Sequence, residues 1–156
     1  MIRRVTENKR GYMELLLMGD EQESMVERYL DRGELFVLEE DGRAIAVCVI
    51  TDEGEGTAEL KNIAVLPGFR RRGIGRKLLD FAENYCADRF TRLVLGTGES
   101  PLTVPFYESC GYKFTHRIPG FFTDNYDHPI YEGGVLLRDM VCFEKMLGGK
   151  NEYTER

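Results

Sequence analysis

The sequence predicts an α+β layered domain: a mixed central sheet with a bulged central strand, a βαβ core and helices on both faces. Three features predict it. Glu34–Glu40 and residues 43–51 are runs rich in Val, Leu and Ile joined through Asp41-Gly42, the strongest short hairpin signal, so the early strands pair antiparallel. Residues 73–88 carry Ile74, Leu78, Ala82, Tyr85 and Cys86 on one apolar stripe, between strand-like runs at 57–66 and 91–97. A strand, a crossover helix and a strand close as a parallel, right-handed unit. Within residues 57–66 the apolar parity changes: Ala58 and Leu60 are even, Ile63 and Val65 odd. Strict alternation cannot change face without an extra residue, which predicts a β-bulge near Lys61-Asn62-Ile63. The alternative is a strand buried on both faces, where parity carries no information.

Taken in order, residues 2–5 suit an edge strand, with Thr6 or Asn8 able to cap the helix that follows. Tyr12, Leu15 and Leu16, then Met25, Tyr29 and Leu30, recur at helical spacing in two short helices broken by Gly19-Asp20, and Gly33 ends the second. After the hairpin, residues 53–56 read as a loop. Beyond the βαβ unit, Pro101 or Pro105 starts a short helix through Phe106, Tyr107 and Cys110, with Gly111 as its C-cap. Residues 112–118 are strand-like. Residues 119–134 read as a long loop with four aromatics (Phe121, Phe122, Tyr126, Tyr131), three acids (Asp124, Asp127, Glu132) and no lysine or arginine. Residues 135–146 read as a last strand. A single domain is expected over 1–147, with 148–156 a polar, frayed tail.

With 156 residues, 42% apolar, the chain can bury one substantial core. The net charge of −6 argues against nucleic-acid binding, which needs a broad basic surface. Cys48, Cys86, Cys110 and Cys142 are widely spaced, without a Cys-x-x-Cys pair, and read as reduced structural thiols of a cytoplasmic protein. No metal site is expected. The charged start Met1-Ile2-Arg3-Arg4 leads into no long apolar run, so neither a signal peptide nor a membrane span is expected.

The chemistry concentrates in Arg70-Arg71-Arg72-Gly73-Ile74-Gly75, which opens the long helix. The first N–H groups of a helix lack intrahelical partners and sit at the positive end of its dipole, so anions are favoured there. Glycines let a pyrophosphate approach the main chain, and arginines add charge-assisted hydrogen bonds. A lone charge run is more often a solvated face, but its place at a helix start beside two glycines reverses that order. A P-loop would need Lys-Ser/Thr after Gly75, where Arg76-Lys77 stand; a dinucleotide fingerprint would need a third glycine where Leu78 stands.

The arrangement closely resembles the GNAT superfamily of N-acetyltransferases. Its signature of Arg or Gln, two residues, Gly, one residue, then Gly or Ala is matched by Arg70, Gly73 and Gly75 after Leu60-Lys61-Asn62-Ile63-Ala64-Val65-Leu66-Pro67. A second block, Phe106-Tyr107-Glu108-Ser109-Cys110-Gly111-Tyr112, is similar to the family's Phe-Tyr-Glu-Lys-x-Gly-Phe element. The resemblance covers residues 34–118 and implies a GNAT-like layered fold. Gly96-Thr97-Gly98 and Arg138-Asp139-Met140 resemble a bacterial branch whose substrates are mostly unassigned.

The resemblance implies acetyl-CoA as donor, held in a splay beside the bulged strand. Backbone groups of Ile63, Ala64 and Val65 would pair with the pantetheine arm. Amides of Arg71, Arg72, Gly73, Ile74, Gly75 and Arg76 would surround the pyrophosphate, with Arg70 and Lys77 adding charge. Tyr107 matches the family tyrosine near the sulfur and is the candidate general acid, unless it only packs the core. Glu59 is the leading candidate base, Glu99 the second and His116 a third; each could equally be an ordinary surface or structural group. Two departures stand out: Ser100 replaces the usual Asn but can still hydrogen-bond the cofactor, and Thr103 replaces a small Ala. Pro105, unusual before Phe106-Tyr107, could shift how the tyrosine presents.

The implied reaction is direct attack of a primary amine on the thioester in a ternary complex. Acidity at Asp20, Glu21, Glu23 and Glu27 would steer a small cationic or amino-sugar-like acceptor, and the aromatics of 119–134 could stack on it. Those aromatics could instead cover the sheet or a homodimer interface. Two other readings are a non-catalytic acetyl-CoA sensor or interaction module and, more distantly, a nucleotide-binding regulator.

Overall fold

The computed structural model describes residues 1–148. Early hydrophobic runs form β1 (Ile2–Val5), β2 (Glu34–Glu40) and β3 (Arg43–Gly54), paired antiparallel in that order. Asp41 (φ 53°) and Gly42 (φ 75°) both turn left-handed between β2 and β3, the backbone of a tight hairpin whose twist matches its strands. A second left-handed pair, Glu55 (φ 53°) and Gly56 (φ 77°), turns β3 into β4 (Thr57–Val65). The loop expected at 53–56 is therefore a two-residue turn, and β3 runs three residues beyond Thr51.

Between β1 and β2 lie a 3-10 turn (Lys9–Tyr12), α1 (Met13–Gly19) and α2 (Glu23–Glu27). Asn8 sits at the head of the 3-10 turn in the left-handed region (φ 54°) and makes no capping hydrogen bond with its side chain, so the expected cap is absent. α3 (Ile74–Cys86) crosses over from β4 to β5 (Arg92–Gly98), and the two strands are parallel. α4 (Val104–Ser109) has Pro105 in its first turn, where a missing N–H is harmless, and ends at Gly111 with φ 94°. β6 (Lys113–Ile118) follows.

Residues 119–134, expected to be a loop, contain α5 (Phe121–Asn125) and β7 (Tyr131–Glu132). β7 pairs with β8 (Val135–Leu136) in a small separate hairpin. The expected last strand over 135–146 is broken: the chain leaves β8, and β9 (Met140–Met146) begins anew in the main sheet. Such pieces are too short for hydrophobic period to reveal. The seven-stranded order is β1-β2-β3-β4-β5-β9-β6, so β9 inserts between β5 and β6. From residue 149 on, the expected polar tail lies outside the described residues.

Both faces of the sheet are covered. On one, Phe36, Cys48 and Ile50 pack against Ile74, Leu78, Leu79 and Ala82 of α3 and Tyr107 of α4. On the other, Leu35, Val37, Val47 and Val49 pack against Leu15, Leu16, Val26 and Leu30 around α1 and α2. That double burial is why β2 and β3 read as continuous apolar runs. No helix among the described residues is long and apolar enough to cross a membrane. All four cysteines are free thiols, Cys48, Cys86 and Cys110 buried.

Candidate active site

The site begins at the parity change. Val49 faces Asn62 and Ile50 faces Leu60, so Lys61 is the extra residue of a bulge in β4. Ala58 and Leu60 before it and Ile63 and Val65 after it all pack on the α3 side, while Ala64 packs on the α1 side. The strand is thus both bulged and buried on two faces. Pairing of β4 with β5 ends at Leu60–Leu95, and β5 continues as Gly96-Thr97-Gly98 bonded only to β9 on its other edge. The two central strands splay, leaving a cleft of about 130 Å³. Lys61, Asn62 and Ile63 line one wall, Gly96 and Thr97 the other, and Tyr107 and Glu132 face into it. Ala64 and Val65 continue the β4 wall.

At the α3 end of β4 the chain makes a cradle. Arg71 (φ 63°) and Gly73 (φ 75°) are left-handed, and Gly73 stands at the head of α3 with no side chain capping it. Among the described residues, no backbone carbonyl accepts from the amides of residues 71–76; the first bond of the helix is Lys77 N–H to the Gly73 carbonyl, 3.0 Å. A run of unbonded N–H groups at a helix start is an anion site. A Cβ on Gly73 would meet no atom of the described residues within 4 Å. The side chains divide. Arg70 Nε donates to the Val65 carbonyl at 3.0 Å, Arg72 pairs with Glu40 at 3.3 Å and Arg76 donates to the Ser109 carbonyl at 3.2 Å. Arg71 and Lys77 bond no protein group among the described residues.

Tyr107 is 8% exposed, its ring against Phe106, Tyr112 and Phe143. Its hydroxyl bonds no protein group among the described residues and opens on the cleft. Burial first, then the nearby charge of Glu132, pushes its pKa well up, so it stays protonated at neutral pH. Ser100, expected to meet the cofactor, is buried in an internal network: its Oγ donates to Glu132 Oε1 at 3.0 Å and accepts from the Leu102 amide at 3.2 Å.

The three candidate bases fare differently. Glu59 is ion-paired with Lys61 at 3.1 Å and lines a cavity on the α2 side, not the cleft that holds Tyr107. Glu99 is ion-paired with Arg117 at 2.5 Å, its side chain 56% exposed, and lines none of the cavities around the splay. His116, on exposed β6, bonds its neighbour Thr115 and is likewise outside them. The carboxylate that does face Tyr107 is Glu132, which the sequence offered only as one acid among three in residues 119–134. Its pairing in the β7–β8 hairpin and its hold by Ser100, 32 residues away in sequence, could not be read from local pattern.

Beyond the splay, two further cavities, of about 140 and 280 Å³, share Asp20, Lys61, Gly96, Tyr126 and Met140. Asp20 accepts hydrogen bonds from Tyr29 at 3.0 Å and from Tyr126. Tyr29 in turn accepts from Asn62 at 3.0 Å, which also donates to the Leu16 carbonyl at 2.9 Å. Burial raises the Asp20 pKa against the lowering effect of both tyrosines. The side-chain oxygen Oδ1 of Asn62 is buried without a partner among the described residues. Of the acids expected to steer a cation, Asp20 and Glu21 line these cavities, whereas Glu27 is paired with Arg10 at 3.0 Å and Glu23 lines neither.

The model of the acetyltransferase (GNAT) domain family matches residues 31–114, which hold the hairpin, the bulged strand, the cradle and Tyr107. The chain is 32% identical over 130 residues to the uncharacterized N-acetyltransferase YvbK of Bacillus subtilis, covering 82% of this chain and 84% of that protein. Among solved structures, a GNAT family acetyltransferase from Elizabethkingia anophelis with acetyl-CoA bound superposes with a TM-score of 0.89 at 32% identity, over 94% of this chain and 97% of that one. The IAA acetyltransferase from Bacillus cereus gives 0.88 at 31% identity, over 94% and 99%.

Proposed function

The chain belongs to the GNAT superfamily of N-acetyltransferases, and we propose that it transfers the acetyl group of acetyl-CoA to a primary amine of a small molecule, by direct attack in a ternary complex. Acetyl-CoA is the donor, as it is the ligand of the Elizabethkingia relative. This chain's residues fit it. The open amides of 71–76 would take the pyrophosphate, with Arg71 and Lys77 free to add charge. The β4 edge at Ile63, Ala64 and Val65, unpaired beyond the bulge, would bond the pantetheine amides. Arg70 would act indirectly, by holding the Val65 carbonyl. Ser100 would act through Glu132 rather than on the cofactor.

The observation that carries the reading is a phenol and a carboxylate facing one cleft where two central strands part. Tyr107, kept protonated by burial, would donate to the sulfur as the thiolate departs. Glu132 would take the proton from the acceptor ammonium, directly or through a water held in the splay, in preference to Glu59, whose charge Lys61 already neutralises. Comparison of Glu132→Gln with Glu59→Gln tests this. The expected outcome is a loss in kcat/KM on the order of 10²-fold for Glu132→Gln and a change within a few-fold for Glu59→Gln. The reverse order would return the base to Glu59.

A further inference from the structure

The 280 Å³ cavity on the α2 side of the splay carries a charge pattern that acetyl transfer to a simple amine leaves unused. Arg28, Arg32 and Lys61 line it, against Asp20 and Glu59. Lys61 is neutralised by Glu59 at 3.1 Å and Arg32 by Glu53 at 2.9 Å. Asp20 accepts a tyrosine hydroxyl on each carboxylate oxygen, from Tyr29 and Tyr126, and the Arg28 charge acts on it across the cavity. Arg28 has no direct ion-pair contact: among the described residues no carboxylate oxygen comes within 4.0 Å of it. Its exposed guanidinium donates to Asn125 Oδ1 at 3.2 Å. Asn125 is itself anchored, because Gln22 Nε2 reaches its carbonyl at 3.4 Å and Gln22 Oε1 accepts the Asp127 amide at 2.8 Å. The same cavity reaches the splay at Lys61 and Gly96 and is lined by Met25, Ile118, Phe121 and Met140 alongside Tyr29 and Tyr126.

A positioned, unpaired guanidinium presents a fork of donors that matches a carboxylate bidentately. Arg28 lines only this cavity and neither of the two that contain Glu132, so it reads a part of the acceptor remote from the reacting nitrogen. We propose that the acceptor is an amino acid in the broad sense, with its primary amine at the splay, an apolar spacer along Met25, Phe121 and Met140, and a carboxylate on Arg28. This rests on the acetyl-transfer reading and replaces the cationic acceptor that the acidity of residues 20–27 led us to expect.

The test uses amines matched except for the carboxylate: 4-(aminomethyl)benzoate against benzylamine, and 5-aminopentanoate against pentylamine, with CoA release as the readout. The carboxylate-bearing member of each pair should be favoured about tenfold or more in kcat/KM. Arg28→Met should collapse that ratio towards one, and Arg28→Lys should restore part of it. Equal or better turnover of the plain amines overturns the proposal and leaves acetyl transfer standing. So does a preference that Arg28→Met does not move. If no amine is turned over, calorimetry of the same amino acids on the CoA-loaded protein separates the two readings: binding that Arg28→Met abolishes supports the carboxylate site and places the failure in the roles proposed for Tyr107 and Glu132, while no binding sinks the site.

Discussion

Tyr107 keeps its ring among Phe106, Tyr112 and Phe143 and turns its hydroxyl to the cleft, so Tyr107→Phe removes the second role without the first. The melting temperature should hardly change, because the hydroxyl bonds no protein group among the described residues, whereas kcat should fall on the order of 10²-fold, as read by thiol release. An unchanged kcat would leave Tyr107 a packing residue. The cysteines make a second prediction. Burial pushes Cys48 up to about 12 and Cys86 up to about 11, against an ordinary value of 9.0. Their thiols therefore stay protonated in the native state at pH 8; burial raises Cys142 as well, but it is only half-buried, so of the four it should alkylate first, before unfolding. Because the unfolded thiols ionise first, the fold is unaffected by these groups below pH 9 and loses stability as pH rises from 9 towards 11 to 12. Mass spectrometry after iodoacetamide treatment locates the modified residue. Early labelling of Cys48 would mean that the sheet opens between β3 and α3.

The bulge, the cradle and α3 act together as one element. Gly73 has φ 75° and an open space where a Cβ would project, so Gly73→Ala introduces left-handed strain of about 1–2 kcal/mol and a methyl group on the amide side of the cradle. Urea denaturation should show the strain as a lower midpoint, and calorimetry should show acetyl-CoA affinity reduced by about tenfold or more. Full affinity in Gly73→Ala would mean that the pyrophosphate lies elsewhere. The bulge was legible in the sequence because a one-residue insertion changes every later side chain from one face to the other, a signal carried by Leu60, Ile63 and Val65 themselves. Residues 119–134 offered no such signal. A five-residue helix and two-residue strands are shorter than one hydrophobic repeat, and what holds them is contact with distant partners, such as Phe122 N–H to the Arg138 carbonyl at 2.9 Å.

In the whole molecule, two cores on opposite faces of one sheet fix the strands that form the walls of the splay. Acetyl-CoA should bind the folded chain and stabilise it by about 2.7 kcal/mol at a hundredfold excess over Kd, a rise of several degrees in melting temperature. A scanning experiment with and without acetyl-CoA measures it; no shift would contradict the donor site. The hairpin at Asp41-Gly42, the bulge, the parallel βαβ unit and the anion seat at the start of α3 were all written in short stretches of sequence, since each depends on φ values, parity or unbonded amides of neighbouring residues. Which carboxylate shares a cleft with Tyr107, why Ser100 is spent on Glu132, and that Arg28, in one cavity with Phe121, makes no ion-pair contact among the described residues were decided only by tertiary packing. Those relations join residues tens of positions apart, and a charge acquires its partner, or goes without one, only when the sheet brings its neighbours together.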